Sequence, residues 1–120
     1  MKKIIFDTDF LLSAVKFKVD ILSELNRICD FNYTVNVLDK TIEELKGKKG
    51  EKLALGLIKA RGINIVKIEA KNTVDELLLK LGAENKEIIV ATQDRALKEN
   101  LKNRRIPCIT IRQKKYLMQL

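Results

Sequence analysis

Short runs of branched apolar residues alternate with longer amphipathic segments along the chain, and this alternation constrains the fold more than any other feature of the sequence. The expected strands cover residues 2–6, 33–37, 63–68, 88–91 and 108–111. Strands that alternate with helices form a parallel sheet through right-handed crossovers. The pattern therefore predicts an α/β fold, a three-layer α/β/α sandwich around a mostly parallel five-stranded sheet.

The segments between these strands carry helix start and stop signals. We expect helices over 10–16, 19–28, 39–46, 51–60 and 95–102, and one more that starts at a capping box of Thr73 and Glu76 and ends at Gly82. Asp39 is expected to cap the third helix and Gly47 to end it. Because 120 residues suit one hydrophobic core and no low-complexity linker is present, we expect a single domain over 1–120.

Two patterns bear on the cellular context of the chain. No apolar run approaches the roughly 20 residues of a membrane span, and Asp7 and Asp9 interrupt the stretch where a signal peptide would be continuously apolar. We therefore expect a cytoplasmic protein without a membrane partner. Cys29 and Cys108 form no CxxC pair, so we expect reduced thiols and neither a zinc knuckle nor a redox motif.

The chain contains no histidine. This excludes a Ser-His-Asp or Cys-His nucleophile and any His-ligated zinc site, and it removes the usual general base for metal-free RNA cleavage. If the protein is a hydrolase, carboxylates and a hard metal ion must supply the chemistry.

Acidic side chains stand where several apolar segments break off. Asp7 follows the first strand and Asp94 follows the fourth, and ligands of parallel sheets bind beyond the carboxyl ends of the strands. Glu44 lies late in the third helix, and Asp75 lies in the first turn of the fifth, where the helix dipole favours an anion. Oxygen-rich acidic sites suit Mg²⁺ or Mn²⁺. We expect Asp7 and Asp94 to be the principal ligands, with Glu44 and Asp75 completing the cluster.

Several of these residues also have a purely structural explanation. Asp94 can cap the helix that follows it, and Asp9 can either cap the first helix or assist the metal. The hydroxyl of Thr92 can satisfy buried backbone or orient Asp94. Glu43 is adjacent to Glu44, so one of the two is expected to be a solvated helix residue.

Positive charge is concentrated in the last quarter of the chain. Residues 1–94 contain 16 basic and 15 acidic residues, whereas residues 95–120 contain 8 basic residues and one acid. A run of positively charged residues beside an acidic cluster suits a nucleic-acid substrate. The alternative interpretation is a solvated helix face followed by a basic tail. The candidate RNA-binding residues are Arg95, Lys98, Lys102, Arg104, Arg105, Arg112, Lys114 and Lys115.

The segment IIFDTDFLL resembles the opening of the PIN-domain ribonucleases. In that family the first strand ends in a metal-binding aspartate within a D-T-N-like triplet. Asp7 and Thr8 match the triplet, and Asp9 stands where the family usually has asparagine.

Three later segments are similar to the remaining motifs of the same family. TIEELKG resembles the second motif at Glu44, VDELLLKLG the third at Asp75, and IIVATQDRALKENL the fourth at Thr92 and Asp94. Four motifs occur in the family's order over the whole chain. The resemblance implies a PIN-like fold, a divalent metal at these acids, and RNA products with 5′-phosphate and 3′-hydroxyl ends.

Within the family, the stretch from VATQDRALKENL to RRIPCITIRQKKYL is similar to the branch associated with small-subunit ribosomal RNA processing. We therefore expect a metal-dependent endoribonuclease that acts on structured ribosomal RNA. VapC-like toxins share the acidic motifs and the size, so a toxin ribonuclease held by an antitoxin is a second interpretation. A non-catalytic RNA-binding or protein-binding module is a third, and a homodimer is compatible with the apolar faces of the first two helices.

A phospho-accepting receiver domain would also carry an acidic pocket on a small α/β fold. Its phosphorylated aspartate should follow a middle strand, but residues 63–68 are followed by Glu69. We rank this alternative below the others.

Overall fold

A computed structural model describes all 120 residues and contains one six-stranded sheet flanked by six helices. The strands are β1 Lys2–Phe6, β2 Tyr33–Leu38, β3 Asn64–Val66, β4 Ile88–Ala91, β5 Cys108–Arg112 and β6 Tyr116–Gln119. The helices are α1 Thr8–Lys16, α2 Ile21–Ile28, α3 Asp39–Leu45, α4 Glu51–Ala60, α5 Val74–Glu84 and α6 Arg95–Asn103.

The strands lie in the order β3-β2-β1-β4-β5-β6, and all neighbouring pairs are parallel except β5 and β6. β1 is therefore central and lies between β2 and β4. Phe6 pairs with Ala91, so β1 and β4 end side by side at the same edge of the sheet. The predicted three-layer, mostly parallel architecture is confirmed.

The predicted count of five strands is wrong by one, because the C-terminal segment folds back as β6. The turn between β5 and β6 holds Gln113 and Lys114 at φ values of 50° and 56°, a left-handed conformation that side chains other than glycine and asparagine seldom adopt. The sequence therefore has no turn signature at this hairpin, and the segment looks like a basic tail.

Two hydrophobic cores lie on the two faces of the sheet. One packs the inner residues of α1 to α4 against Ile4, Phe6, Ile89 and Ile109, and the other packs α5 and α6 against Ile5. β1 contributes to both cores because successive side chains of a strand point to opposite faces. The strand is buried on both sides at Ile4, Ile5 and Phe6, which explains its continuous apolar sequence.

Two helix termini differ from the sequence-based expectation. Gly82 does not end α5, which continues to Glu84; a Cβ at Gly82 would lie 2.8 Å from two side-chain carbons of Ile106. The glycine therefore permits close packing and is not a helix stop. Asp39 is the first residue of α3 rather than its cap, and its carboxylate accepts from the backbone amides of Lys40 and Ile68.

The Thr73 cap of α5 is confirmed, since its hydroxyl oxygen accepts from the amide of Glu76 at 3.3 Å. Both cysteines are free thiols, as expected, with Cys108 buried and Cys29 half-buried. None of the six helices combines the length and the apolar character needed to cross a membrane.

Candidate active site

The first candidate residue is positioned by the register of the two central strands. Beyond the last pair of β1 and β4, the amide of Asp7 still donates to the carbonyl of Ala91 at 2.8 Å. On the other side of β4, the amide of Thr92 donates to the carbonyl of Ile109 at 3.0 Å. Asp7 is only 3% exposed and Thr92 is fully buried. The extended ladder therefore brings these two side chains together at the edge of the sheet.

The hydroxyl of Thr92 connects two acidic residues. It donates to Oδ2 of Asp7 at 2.7 Å, and its oxygen accepts from the backbone amide of Asp94 at 3.1 Å. Each of the two aspartates also caps a helix: Asp7 accepts from the amide of Thr8 at the start of α1, and Asp94 accepts from the amide of Leu97 at the start of α6. Capping fixes the two carboxylates at the sheet edge, and Asp94 has the capping role that the sequence predicted.

Glu44 reaches the same region from α3. Its Oε1 accepts from the hydroxyl of Thr8 at 2.5 Å, although the two residues are 36 positions apart. Both Glu44 and the neighbouring Glu43 are exposed, and only Glu44 forms this bond. The Thr8 contact therefore distinguishes Glu44 from Glu43 and turns its side chain towards α1.

Gln93 is a structural residue of this edge that the sequence analysis missed. Its Oε1 accepts from the amide of Ile111 at 2.6 Å and from the hydroxyl of Thr110 at 2.7 Å, and its amide donates to the carbonyl of Ile111 at 3.2 Å. These bonds attach the turn that carries Thr92 and Asp94 to β5. A lone glutamine gives no sequence signal for such a role. The contact of Thr8 with Glu44 was not predicted either, although the place of Thr8 in the first motif was a signal for it.

Burial and mutual repulsion raise the pKa values of two acids at this edge. Burial, followed by the nearby charges of Asp75 and Asp9, raises the pKa of Asp7 to about 6, against the lowering effect of its bonds from Thr92 and Thr8. The pKa of Asp75 is raised as well, first by burial and then by the charges of Asp94, Glu44 and Asp9. Every candidate acid therefore lies within electrostatic range of Asp75.

The donor chemistry of this edge fits a hard divalent cation. All the candidate ligands are carboxylates, and the charges of neighbouring acids add to burial in raising the pKa values of Asp7 and Asp75, so a cation would offset that repulsion. In the structure itself, no three of these side chains lie close enough together to form a metal-binding group. The acids therefore fit a divalent cation in type and charge, but they are not gathered around one point in this structure.

The eight basic candidates do not all line one groove. Five of the eight candidates line a single groove of about 990 Å³ beside α6 and β5: Arg95, Lys98, Lys102, Arg105 and Arg112. Arg104 is the C-terminal cap of α6, and Lys115 belongs to the β5–β6 turn. Lys114 lies outside this groove. Its ammonium group is 5.3 Å from the ring centre of Phe17, the residue that follows α1. We refer to the groove beside α6 as the α6 groove.

The family profile of the PIN-like domain matches residues 4–114 of the chain. The chain belongs to the PIN-like family. This PIN-like chain is 36% identical over 125 aligned residues to Ribonuclease VapC4 of Methanocaldococcus jannaschii, and the alignment covers 97% of this chain and 95% of that protein. The resemblance carried by the four acidic motifs is thereby confirmed for the family.

A solved structure is also similar to this PIN-like chain in fold. The structure of the PIN domain endonuclease Utp24 superposes with a TM-score of 0.85 at 22% identity, covering 98% of this chain and 92% of that one. At this level of identity the likeness concerns the fold, and it agrees with the three-layer arrangement of sheet and helices.

Proposed function

We propose that the protein is a metal-dependent endoribonuclease that hydrolyses RNA phosphodiester bonds. The observation that carries the proposal is the bridge through Thr92, which holds Asp7 and Asp94 together at the carboxyl edge of two neighbouring parallel strands. Membership of the PIN-like family and the similarity to a ribonuclease over nearly the whole chain support it.

The residues that would hold a Mg²⁺ or Mn²⁺ ion are Asp7, Asp94, Glu44 and Asp75, with Asp9 as an auxiliary acid. When bound, such an ion supplies a Lewis acid for the phosphate and a water of lowered pKa. Without a cation, the acids would repel a phosphodiester, because Asp7 is mostly ionised above its pKa of about 6.

The remaining residues would position the acids and the RNA substrate. Thr92 holds the carboxylate of Asp7 and the backbone of Asp94 in one geometry, and Thr8 holds Glu44. The cationic side chains of the α6 groove would bind RNA phosphates next to the acids, since Arg95 directly follows Asp94. Phosphate contacts do not read sequence, so selection of the target would come from RNA shape or from a partner.

The proposal is tested by incubating labelled ribosomal RNA fragments with the protein in Mn²⁺ and in EDTA. We expect cleavage only with the metal, and a loss of at least about tenfold to a hundredfold in rate for Asp7→Asn, since changing even the partners that orient metal ligands costs that much. Asp30→Asn is the control, because Asp30 is an exposed acid remote from the motifs. Cleavage by Asp7→Asn at the rate of the native chain would exclude this site.

Two cellular roles compete within this activity. The basic segment 95–120 favours processing of structured ribosomal RNA, whereas the similarity to VapC4 favours a toxin with an antitoxin partner. We place processing first. Growth arrest on expression of the native chain, abolished by Asp7→Asn, would support the toxin role, and accumulation of precursor ribosomal RNA after gene deletion would support processing. A non-catalytic module would show RNA binding without cleavage in either metal.

A further inference from the structure

We propose that a second RNA phosphate-binding groove lies along α1, on the opposite side of the acidic edge from the α6 groove. This inference rests on the proposed function and extends it to the path of the substrate. The groove, here called the α1 groove, has a volume of about 810 Å³, and its polar lining consists of Asp9, Ser13, Lys16, Lys18, Lys49 and Gln93.

The α1 groove begins at the candidate active site. Gln93 lies between Thr92 and Asp94 in the chain, and Asp9 follows Asp7 by two positions. On α1, Asp9, Ser13 and Lys16 are spaced four and three residues apart, so they form one stripe that runs about 10 Å away from the sheet edge. The groove therefore leads from the acids to a cluster of lysines.

The α6 groove has the same relationship to the acids. α6 is capped by Asp94, and Arg95, Lys98 and Lys102 repeat three and four residues apart on one side of the helix. The cores of the two helices lie on opposite faces of the sheet. One RNA strand crossing the carboxyl edge would thus meet cationic side chains on both sides of the acids.

The lysines of the α1 groove are available to an anion. Lys16, Lys18 and Lys49 form no ion pair, and Asp9 is the one acid in the lining. Lys114 adds one more positive charge beside the groove, because the ammonium groups of Lys16 and Lys114 lie 5.4 and 5.3 Å from the ring centre of Phe17. A bound anion would reduce the repulsion between two ammonium groups that lie near the same ring. A phosphodiester backbone supplies such anions at regular intervals.

The groove offers no surface for base recognition. Phe17 is occupied by lysine side chains, and no aromatic residue lines the groove. Stacking, the usual source of affinity for exposed bases, is therefore missing. The α1 groove should bind the backbone of RNA irrespective of its sequence.

The test measures binding of labelled RNA in EDTA, so that it does not depend on cleavage. A variant with Lys16→Gln, Lys18→Gln and Lys49→Gln is compared with a control carrying Lys59→Gln, Lys80→Gln and Lys86→Gln, which removes the same charge from exposed positions elsewhere. One position of the control is also matched in structure, because Lys59 lies in the last turn of α4 as Lys16 does in α1.

We expect the α1-groove variant to bind RNA roughly tenfold more weakly than the native chain, and the slope of log K against log salt to fall by about 2, as three lost phosphate contacts require. The loss should be the same for RNAs of different sequence, and the control should bind as the native chain does. Equal affinities and salt slopes for the two variants would overturn the inference. Weakened binding in a chain that never cleaves RNA would refute the proposed function and leave the α1 groove as an RNA-binding site.

Discussion

The hydroxyl group of Thr92 donates to the carboxylate of Asp7 over 2.7 Å and accepts from the backbone amide of Asp94 over 3.1 Å. One buried side chain therefore sets the relative position of two acids that are 87 residues apart in sequence. The hydroxyl group achieves this because it can donate and accept at the same time, which neither a methyl group nor a carboxylate does.

Thr92→Val should disturb this arrangement while keeping the shape of the side chain. We expect RNA cleavage to fall by about 10-fold to 100-fold, as for other groups that orient metal-binding residues. Thr92→Ser keeps the hydroxyl and should retain most of the activity. Single-turnover cleavage rates measure the difference, and equal rates for the two variants would show that the hydroxyl does not position the acids.

The raised pKa of Asp7 makes the stability of the protein depend on pH. The carboxyl group titrates near 3.8 in the unfolded chain and at about 6 in the folded protein, so the folded state binds the proton more tightly. Its stabilising contribution is complete below about pH 4 and is lost as the pH rises through 6. Asp7→Asn cannot ionise, so in EDTA it should be more stable than the native chain at pH 7, by on the order of 3 kcal/mol.

Urea unfolding of the native chain and of Asp7→Asn at pH 4 and pH 7 measures this effect. The difference in the free energy of unfolding should be small at pH 4 and large at pH 7. Asp30→Asn should show no such change, because that residue is exposed. If the free energy of unfolding of the native chain rose relative to that of Asp7→Asn between pH 4 and pH 7, burial would not raise the pKa of Asp7.

The contact between Thr8 and Glu44 predicts different effects on cleavage for substitutions of Glu44 and of the adjacent Glu43. Both side chains are exposed, but only that of Glu44 accepts a hydrogen bond from Thr8, at 2.5 Å. Glu44→Gln should therefore reduce cleavage by at least about tenfold. The change Glu43→Gln should leave the cleavage rate nearly unchanged, and the opposite order of effects would assign the second motif to Glu43.

Gly82 and Gly56 lie inside helices but differ in their surroundings. A Cβ at Gly82 would lie 2.8 Å from Ile106, whereas a Cβ at Gly56 would meet nothing within 4 Å. Gly56→Ala should raise the free energy of unfolding by about 0.5 to 1 kcal/mol, since alanine favours a helix. Gly82→Ala should lower it by about 1 to 3 kcal/mol, because the added methyl group overpacks the core. Thermal unfolding measures both, and stabilisation by Gly82→Ala would show that Ile106 moves away freely.

The sequence predicts the parts of the site that depend on local pattern. Asp7 and Asp94 each come after a branched apolar run, and parallel strands place the residues after their carboxyl ends at one edge of the sheet. The contacts of Thr8 and Gln93 depend on residues far away in the chain, namely Glu44 and Ile111. No local pattern encodes such pairs, so the structure was needed to find them.

The same limit explains why Gly82 and the β5–β6 hairpin were not predicted correctly. Gly82 looks like a helix stop, and only the approach of Ile106, 24 residues later, shows that it is a packing position. The β5–β6 turn uses Gln113 and Lys114 in a conformation usually signalled by glycine or asparagine. The hairpin also brings Lys114 to Phe17 and away from the α6 groove, which linear charge counting does not show.

If the carboxylates at the sheet edge hydrolyse RNA with the help of a metal ion, the chemical ends of the products reveal this most directly. Metal-dependent hydrolysis by the native chain in Mn²⁺ should give 5′-phosphate and 3′-hydroxyl ends, with no products in EDTA or from Asp94→Asn. Products with 2′,3′-cyclic phosphate ends, formed equally in EDTA, would contradict the account, since they would show attack by the ribose hydroxyl without these acids.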